Sequence, residues 1–145
     1  MNLSPHFSLA ELVTSQVATR KDIDNTPAAA VVANLKRLAA MLEQVRALVG
    51  MPIAISSGYR SPALNKAVGG AGNSAHVLGL AADISTPKLP PKALALLILQ
   101  SGIVFDQLIY EGTWVHIGLS VGAPRRQVLT AKFTGGRVNY MAGIL

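Results

Sequence analysis

The chain has 145 residues and a mass of 15.2 kDa, enough for one hydrophobic core and too little for two cores and a linker. Half of its residues are hydrophobic and 14% are charged, which excludes a disordered or acidic solvating chain, and the absence of cysteine excludes disulfides, thiolate metal sites and cysteine nucleophiles. Thirteen Lys and Arg against seven Asp and Glu give a net charge of +6, so anionic wall polymers, peptide carboxylates, anionic lipid and nucleic acid all qualify as partners on charge alone.

Met1 to Leu9 carries no basic stretch followed by an apolar run, and the longest apolar run, Ala93 to Leu99, is far shorter than a membrane span. The expectation is a chain made in the cytoplasm, without a signal peptide or membrane insertion. Ser8 and Glu11 have capping-box spacing and predict a short opening helix. A longer helix is expected from Thr26 as N-cap and Pro27 as its first residue, with apolar positions Val31, Leu35, Leu38, Leu42, Val45 and Val49, ending at Gly50 and Pro52. Ile53 to Ile55 reads as a buried strand entering a turn-prone Ser56 to Arg60, and Ser61 to Val68 as one or two helical turns. Gly69 to Asn73 is expected to be a loop, Leu80 to Ile84 a strand, and Pro91 to Gln100 a helix. The segment after Val121 gives no clear pattern.

Gln107 to Glu111 and Trp114 to Leu119 read as a strand pair. If Gly112 and Thr113 make a two-residue turn, Glu111 pairs with Trp114 and Ile109 with His116. Side chains alternate along a strand, so Gln107, Ile109, Glu111, Trp114 and His116 would then share one face, with Asp106, Leu108 and Tyr110 on the other. Glu111 and His116 become diagonal neighbours, roughly 7 Å apart at the backbone.

Chemistry can be sought by elimination among three histidines and seven acids. Glu11, Asp22, Asp24 and Glu43 fall in or beside the N-terminal helices and read as capping or solvated residues, and His6 reads as surface. Asp83 lies in an apolar strand, where an unpaired carboxylate would cost several kcal/mol, so it needs a cation or donors. His76 lies seven residues upstream and His116 sits between Val115 and Ile117. Two imidazoles and a carboxylate are a common zinc set, yet a strand histidine is more often a packed, hydrogen-bonded residue, and spacing leaves both readings open.

Ser74, His76, Gly79, Ala81 and Asp83 spell SxHxxGxAxD, Trp114 to Ile117 contain a W-x-H strand, and Ser57 to Ser61 spell SGYRS. Together these resemble the zinc D-alanyl-D-alanine carboxypeptidase family of peptidoglycan peptidases, especially its small phage endolysin-like branch, over about residues 7 to 120. The resemblance implies an α+β fold with helices on a small, mainly antiparallel sheet that carries a zinc site, and a single domain over residues 1–145. It also implies zinc ligation by His76, Asp83 and His116, and an Arg60 that binds a substrate carboxylate or steadies the developing oxyanion. Ser74 would hydrogen-bond substrate, and Gln107 would help line the cleft. Many relatives carry an acid three residues before the last histidine, where this chain has Thr113. The hairpin reading supplies Glu111 as general base instead, with Asp106 as the fallback if the register slips by one.

The implied activity is zinc-dependent hydrolysis of peptide bonds in peptidoglycan stem peptides, either of carboxypeptidase type or between L-Ala and D-Glu. A monomeric phage or prophage endolysin is expected, reaching the wall through a permeabilised membrane and touching anionic wall polymers with its basic surface. The rival is a non-catalytic zinc module of the same fold that recognises the wall. Nucleic-acid binding, suggested by Arg125, Arg126, Lys132 and Arg137, lacks any accompanying motif. Arg125 and Arg126 read mainly as solubilising surface residues, while Tyr59 and Trp114 could line a cleft or pack in the core.

Overall fold

The computed structural model describes residues 1–145. Helix α1 (Leu9–Val13) opens with the anticipated capping box between Ser8 and Glu11. A second short helix, α2 (Gln16–Arg20), follows under a Ser15 cap and was not anticipated. The long helix α3 (Ala29–Val49) starts later than expected, with Ala28 rather than Thr26 as N-cap. The cause is local: the Thr26 amide donates to Asp24 Oδ1 at 2.9 Å, a turn that diverts Thr26 from capping the helix. Leu35, Leu38, Ala39, Met41, Leu42 and Val45 form the buried stripe of α3, and Gly50 ends it as expected.

Strand β1 (Ala54–Ser57) runs two residues further than the expected Ile53–Ile55, leaving the turn to Gly58–Ser61. After α4 (Pro62–Ala67) and the glycine-rich loop, one 3-10 turn (Ala75–Leu78) leads into β2 (Ala81–Ser85). Helix α5 (Pro91–Gln100) then feeds β3 (Gln107–Tyr110) and β4 (Val115–Gly118). Two further strands, β5 (Gln127–Thr134) and β6 (Arg137–Ala142), close the chain.

The six strands make one sheet in the order β1-β2-β4-β3-β5-β6, antiparallel throughout except for the parallel pair β3–β5. The fold is therefore α+β, with a mixed but mainly antiparallel sheet. One sheet face turns Ala82, Ile84, Leu108, Val115 and Ile117 into a single core with α1, α3 and α5. The other face is free to carry polar side chains.

Register across that second face decides where the chemistry goes. Ser57 pairs with Asp83, Asp83 with His116, His116 with Ile109, and Ile109 with Leu129, so one residue from each of five neighbouring strands lies in a single row. The β3–β4 hairpin has the anticipated register, with the Glu111 amide donating to Trp114 O at 3.0 Å. Gly112 takes a φ of +84°, which a side chain would resist, so this residue suits the turn.

Gly58 is required for a different reason. A Cβ there would collide with the backbone carbonyl of Leu12, because the turn after β1 lies directly on the end of α1. The neighbouring Tyr59 amide donates to that same carbonyl at 2.7 Å, so the backbone has little room to retreat. Gly58→Ala should cost about 1–3 kcal/mol by overpacking. At roughly 2–4 °C per kcal/mol for a chain of this size, a thermal melt should drop by several degrees, and an unchanged melting temperature would show that α1 yields freely.

Candidate metal centre and cleft

His76 is held from two sides. Ser74 caps the 3-10 turn by accepting from the His76 amide at 3.2 Å, and the carbonyl of Gly58 lies 2.7 Å from His76 Nδ1. A proton on Nδ1 donates to that carbonyl and leaves the Nε2 lone pair facing Asp83. His116 arrives from β4 and Asp83 from β2 at paired positions. His76 Nε2 and His116 Nδ1 lie 3.3 and 3.2 Å from the same oxygen, Asp83 Oδ1, and the two rings meet edge to face with centroids 5.1 Å apart. All three residues are buried. Burial pushes the Asp83 carboxyl up, but without a metal His116 and His76 can instead turn a protonated ring nitrogen toward it, and their hydrogen bonds and charge then outweigh burial and hold the group well below the usual carboxylate range.

The three ligand atoms lie within 4.8 Å of one another, so the group could hold one metal ion. Tetrahedral zinc with bonds of about 2.0–2.1 Å separates its donor atoms by about 3.3 Å, and both separations from Asp83 Oδ1 match this. Two imidazoles and one carboxylate also suit zinc chemically and leave a coordination position for a substrate. The residues fit the ion.

Around this centre runs a cleft. Arg60, in the turn after β1, sends Nη2 to within 3.6 Å of Asp83 Oδ2, while Nε donates to Ser57 Oγ at 3.1 Å and Nη1 to Asn65 Oδ1 at 3.2 Å. Asn65 is buried on α4 and its amide nitrogen donates to Ala71 O at 2.8 Å, so one side chain fixes both the arginine and the glycine-rich loop. Asn65 was not singled out from the sequence, since its partners become neighbours only after α4 folds back on the turn.

Glu111 lies across the centre from Arg60 and lines the same cleft as His76, Asp83 and His116, as do Ile109 and Trp114. Its Oε2 accepts from Trp114 Nε1 at 3.0 Å, so Trp114 belongs to the site, whereas Tyr59 belongs to the core. Burial pushes the Glu111 carboxyl above its ordinary value, and the Asp83 charge adds to the rise. Ser74 and Gln107 also line the cleft, but both have internal partners: Ser74 caps its own turn, and Gln107 donates to Gln127 Oε1 at 2.8 Å.

Asp106 is differently employed. Arg125 grips its carboxylate, with Nη2 2.8 Å from Oδ2, and holds its pKa below the usual range. A carboxylate so engaged is a poor proton acceptor, which disfavours Asp106 as the fallback base. Arg126 stacks on Phe105 at 4.6 Å and donates to the carbonyls of Ile103 and Leu99. The two arginines expected mainly to solubilise the surface instead tie the approach to β5 onto the start of β3. His6 is exposed, as expected, and lies 2.7 Å from Glu43 Oε1, a helix carboxylate that also accepts from Ser4.

No helix in the chain is long and apolar enough to cross a membrane. No curated protein matches the chain. The family model described as Peptidase M15 matches residues 5–118, from the segment before α1 to the end of β4, and spans every residue of the His76, Asp83 and His116 group together with Arg60 and Glu111. With well over half its length matched, the chain belongs to the peptidase M15 family.

Proposed function

We propose that the protein is a zinc peptidase that hydrolyses peptide bonds in peptidoglycan stem peptides, with His76, Asp83 and His116 as the metal ligands. The observation that carries this reading is the convergence of that buried triad and the free edge of Glu111 on one cleft. Zinc, when bound, supplies Lewis acidity that polarises the scissile carbonyl and eases the ionisation of water. Glu111 is the general base: Trp114 occupies Oε2, which leaves Oε1 to accept the proton of the attacking water and pass it to the departing nitrogen. Arg60, held by Ser57 and Asn65, offers its guanidinium to a substrate carboxylate or to the oxyanion as negative charge develops. Ser74 and Gln107 contribute polar contacts along the cleft walls.

The cleft supports cleavage within a peptide as well as at its end. Hollows of about 610 and 710 Å³ meet at Arg60, Val68, Asp83 and Trp114, one reaching toward Phe133 and Tyr140 and the other toward Glu11 and Thr14–Val17. A stem peptide could thus continue past the centre in both directions, which favours the L-Ala–D-Glu endopeptidase type over a pure carboxypeptidase. An endolysin role, acting on the wall after passage through a permeabilised membrane, accords with a net charge of +6 facing anionic wall polymers.

Digestion of purified muropeptides followed by mass spectrometry tests the reading. Cleavage should stop with a chelator and return with zinc. Intact stem peptides under zinc-replete conditions would overturn the peptidase and favour a zinc-containing recognition module of the same fold.

A further inference from the structure

The hairpin of β5 and β6 lies beyond the residues matched by the family, yet it walls the cleft. Its two faces differ sharply. Leu129, Ala131 and Phe133 pair with Ala142, Tyr140 and Val138, so the face toward the cleft is apolar at every position. The opposite face carries Thr130, Lys132, Thr134, Arg137 and Asn139, with Met141 its one large apolar residue. An apolar face at the end of a sheet is normally covered, but Phe133 is 62% exposed, Tyr140 51% and Val138 41%. Leu129, Phe133 and Tyr140 line the same hollow as His76, Asp83, Glu111 and His116, so this face is continuous with the reacting centre.

Register aims Tyr140 at that centre. The parallel pairing of Tyr110 with Thr130, carried one residue further, sets Ala131 beside Glu111, and Ala131 pairs with Tyr140. Glu111, one residue past the end of β3, thus lies in line with Ala131 and Tyr140, about 10 Å from Tyr140 at the backbone by the usual strand spacing. The alanine methyl between them leaves room for the tyrosine ring to lean inward. A phenol is already a proton donor at neutral pH, and burial with the negative charges of Glu111 and Asp83 pushes its pKa further up.

We infer that the cleft face of this hairpin is a substrate subsite: it receives the alanine-sized alkyl side chains of the peptide next to the scissile bond, and the Tyr140 hydroxyl donates to a carbonyl or carboxylate oxygen of that peptide. The subsite rests on the peptidase reading above and adds a direction to it. Arg60 belongs to the β1 end of the sheet and Tyr140 to the β6 end, so the bound peptide crosses the strands from a cationic wall to an apolar one.

Steady-state cleavage and calorimetric binding of a synthetic stem peptide by the zinc-loaded full chain decide the matter. Tyr140→Phe should reduce kcat/KM about 5- to 10-fold, chiefly through KM, as expected for one lost hydrogen bond. Tyr140→Ala should reduce it further, and Lys132→Thr on the opposite face should leave it unchanged. Zinc content and melting temperature should stay at wild-type values in all three. Wild-type kcat/KM in both Tyr140 variants would overturn the subsite while leaving the peptidase intact. If the wild type binds the peptide without cutting it, the peptidase reading falls, and weakened or unchanged affinity in the Tyr140 variants upholds or overturns the subsite by itself. If the wild type neither binds nor cuts, both fall together.

Discussion

Glu111→Gln should lower kcat about 10²- to 10⁴-fold while the protein remains folded and zinc-loaded. The substitution keeps the shape of the side chain and an oxygen that can accept from Trp114 Nε1, so the hairpin loses little. What disappears is a carboxylate able to take and return a proton. The same change should stabilise the metal-free chain. Burial, followed by the Asp83 charge, raises the Glu111 carboxyl in the folded state, so the folded protein binds the proton more tightly than the unfolded one. Between the ordinary carboxylate value and the raised one, wild-type stability therefore falls as pH rises, because ionising Glu111 costs more in the cleft than in water. Glutamine never ionises and escapes that cost. Thermal melts of metal-free protein from pH 4 to 8 should show the variant gaining on the wild type as pH increases, and kinetics at pH 7 should show the loss of turnover. Near-wild-type activity in a zinc-loaded variant would remove Glu111 from the role of base.

Loss of activity with gain of stability marks a group kept for chemistry against its folding cost. The Glu111–His116 relation follows from a two-residue turn and strict alternation, both local rules, and the structure has the register they imply. The small number of acids and histidines, and an aspartate inside an apolar strand, single out His76, Asp83 and His116 as candidates, but it is the resemblance of the SxHxxGxAxD and W-x-H motifs that implies a metal among them. The β5–β6 hairpin was missed although its signal is local: Leu129, Ala131 and Phe133 alternate with Thr130, Lys132 and Thr134 ahead of a Gly135–Gly136 turn. Its place in the sheet was not legible, because β5 joins through a parallel register with the distant β3. Arg125 looks like a surface cation until Asp106, nineteen residues earlier, is brought to 2.8 Å. The N-terminus of α3 failed for a local reason, since Asp24 competes for the turn that Thr26 was expected to make.

Asp83→Asn should abolish tight zinc binding with nearly the same atoms in place. Asparagine retains an oxygen for His76 and His116 to approach but brings no negative charge, and a neutral amide is a much weaker ligand than a carboxylate for a divalent cation. Removing a supporting hydrogen bond from a zinc site typically costs about 10- to 100-fold in affinity. Replacing the ligand that both imidazoles face, at 3.3 and 3.2 Å, should cost more than that. The loss extends beyond the ion, because Arg60 Nη2 stands 3.6 Å from Asp83 Oδ2 and would keep its charge with no carboxylate opposite. Zinc binding only the folded state raises stability by mass action, so the wild-type melting temperature should climb with added zinc and fall with a chelator. The Asp83→Asn melting temperature should be indifferent to both. Competition against a chromophoric chelator measures the affinity directly, and wild-type zinc retention by Asp83→Asn would show that the ion is held elsewhere.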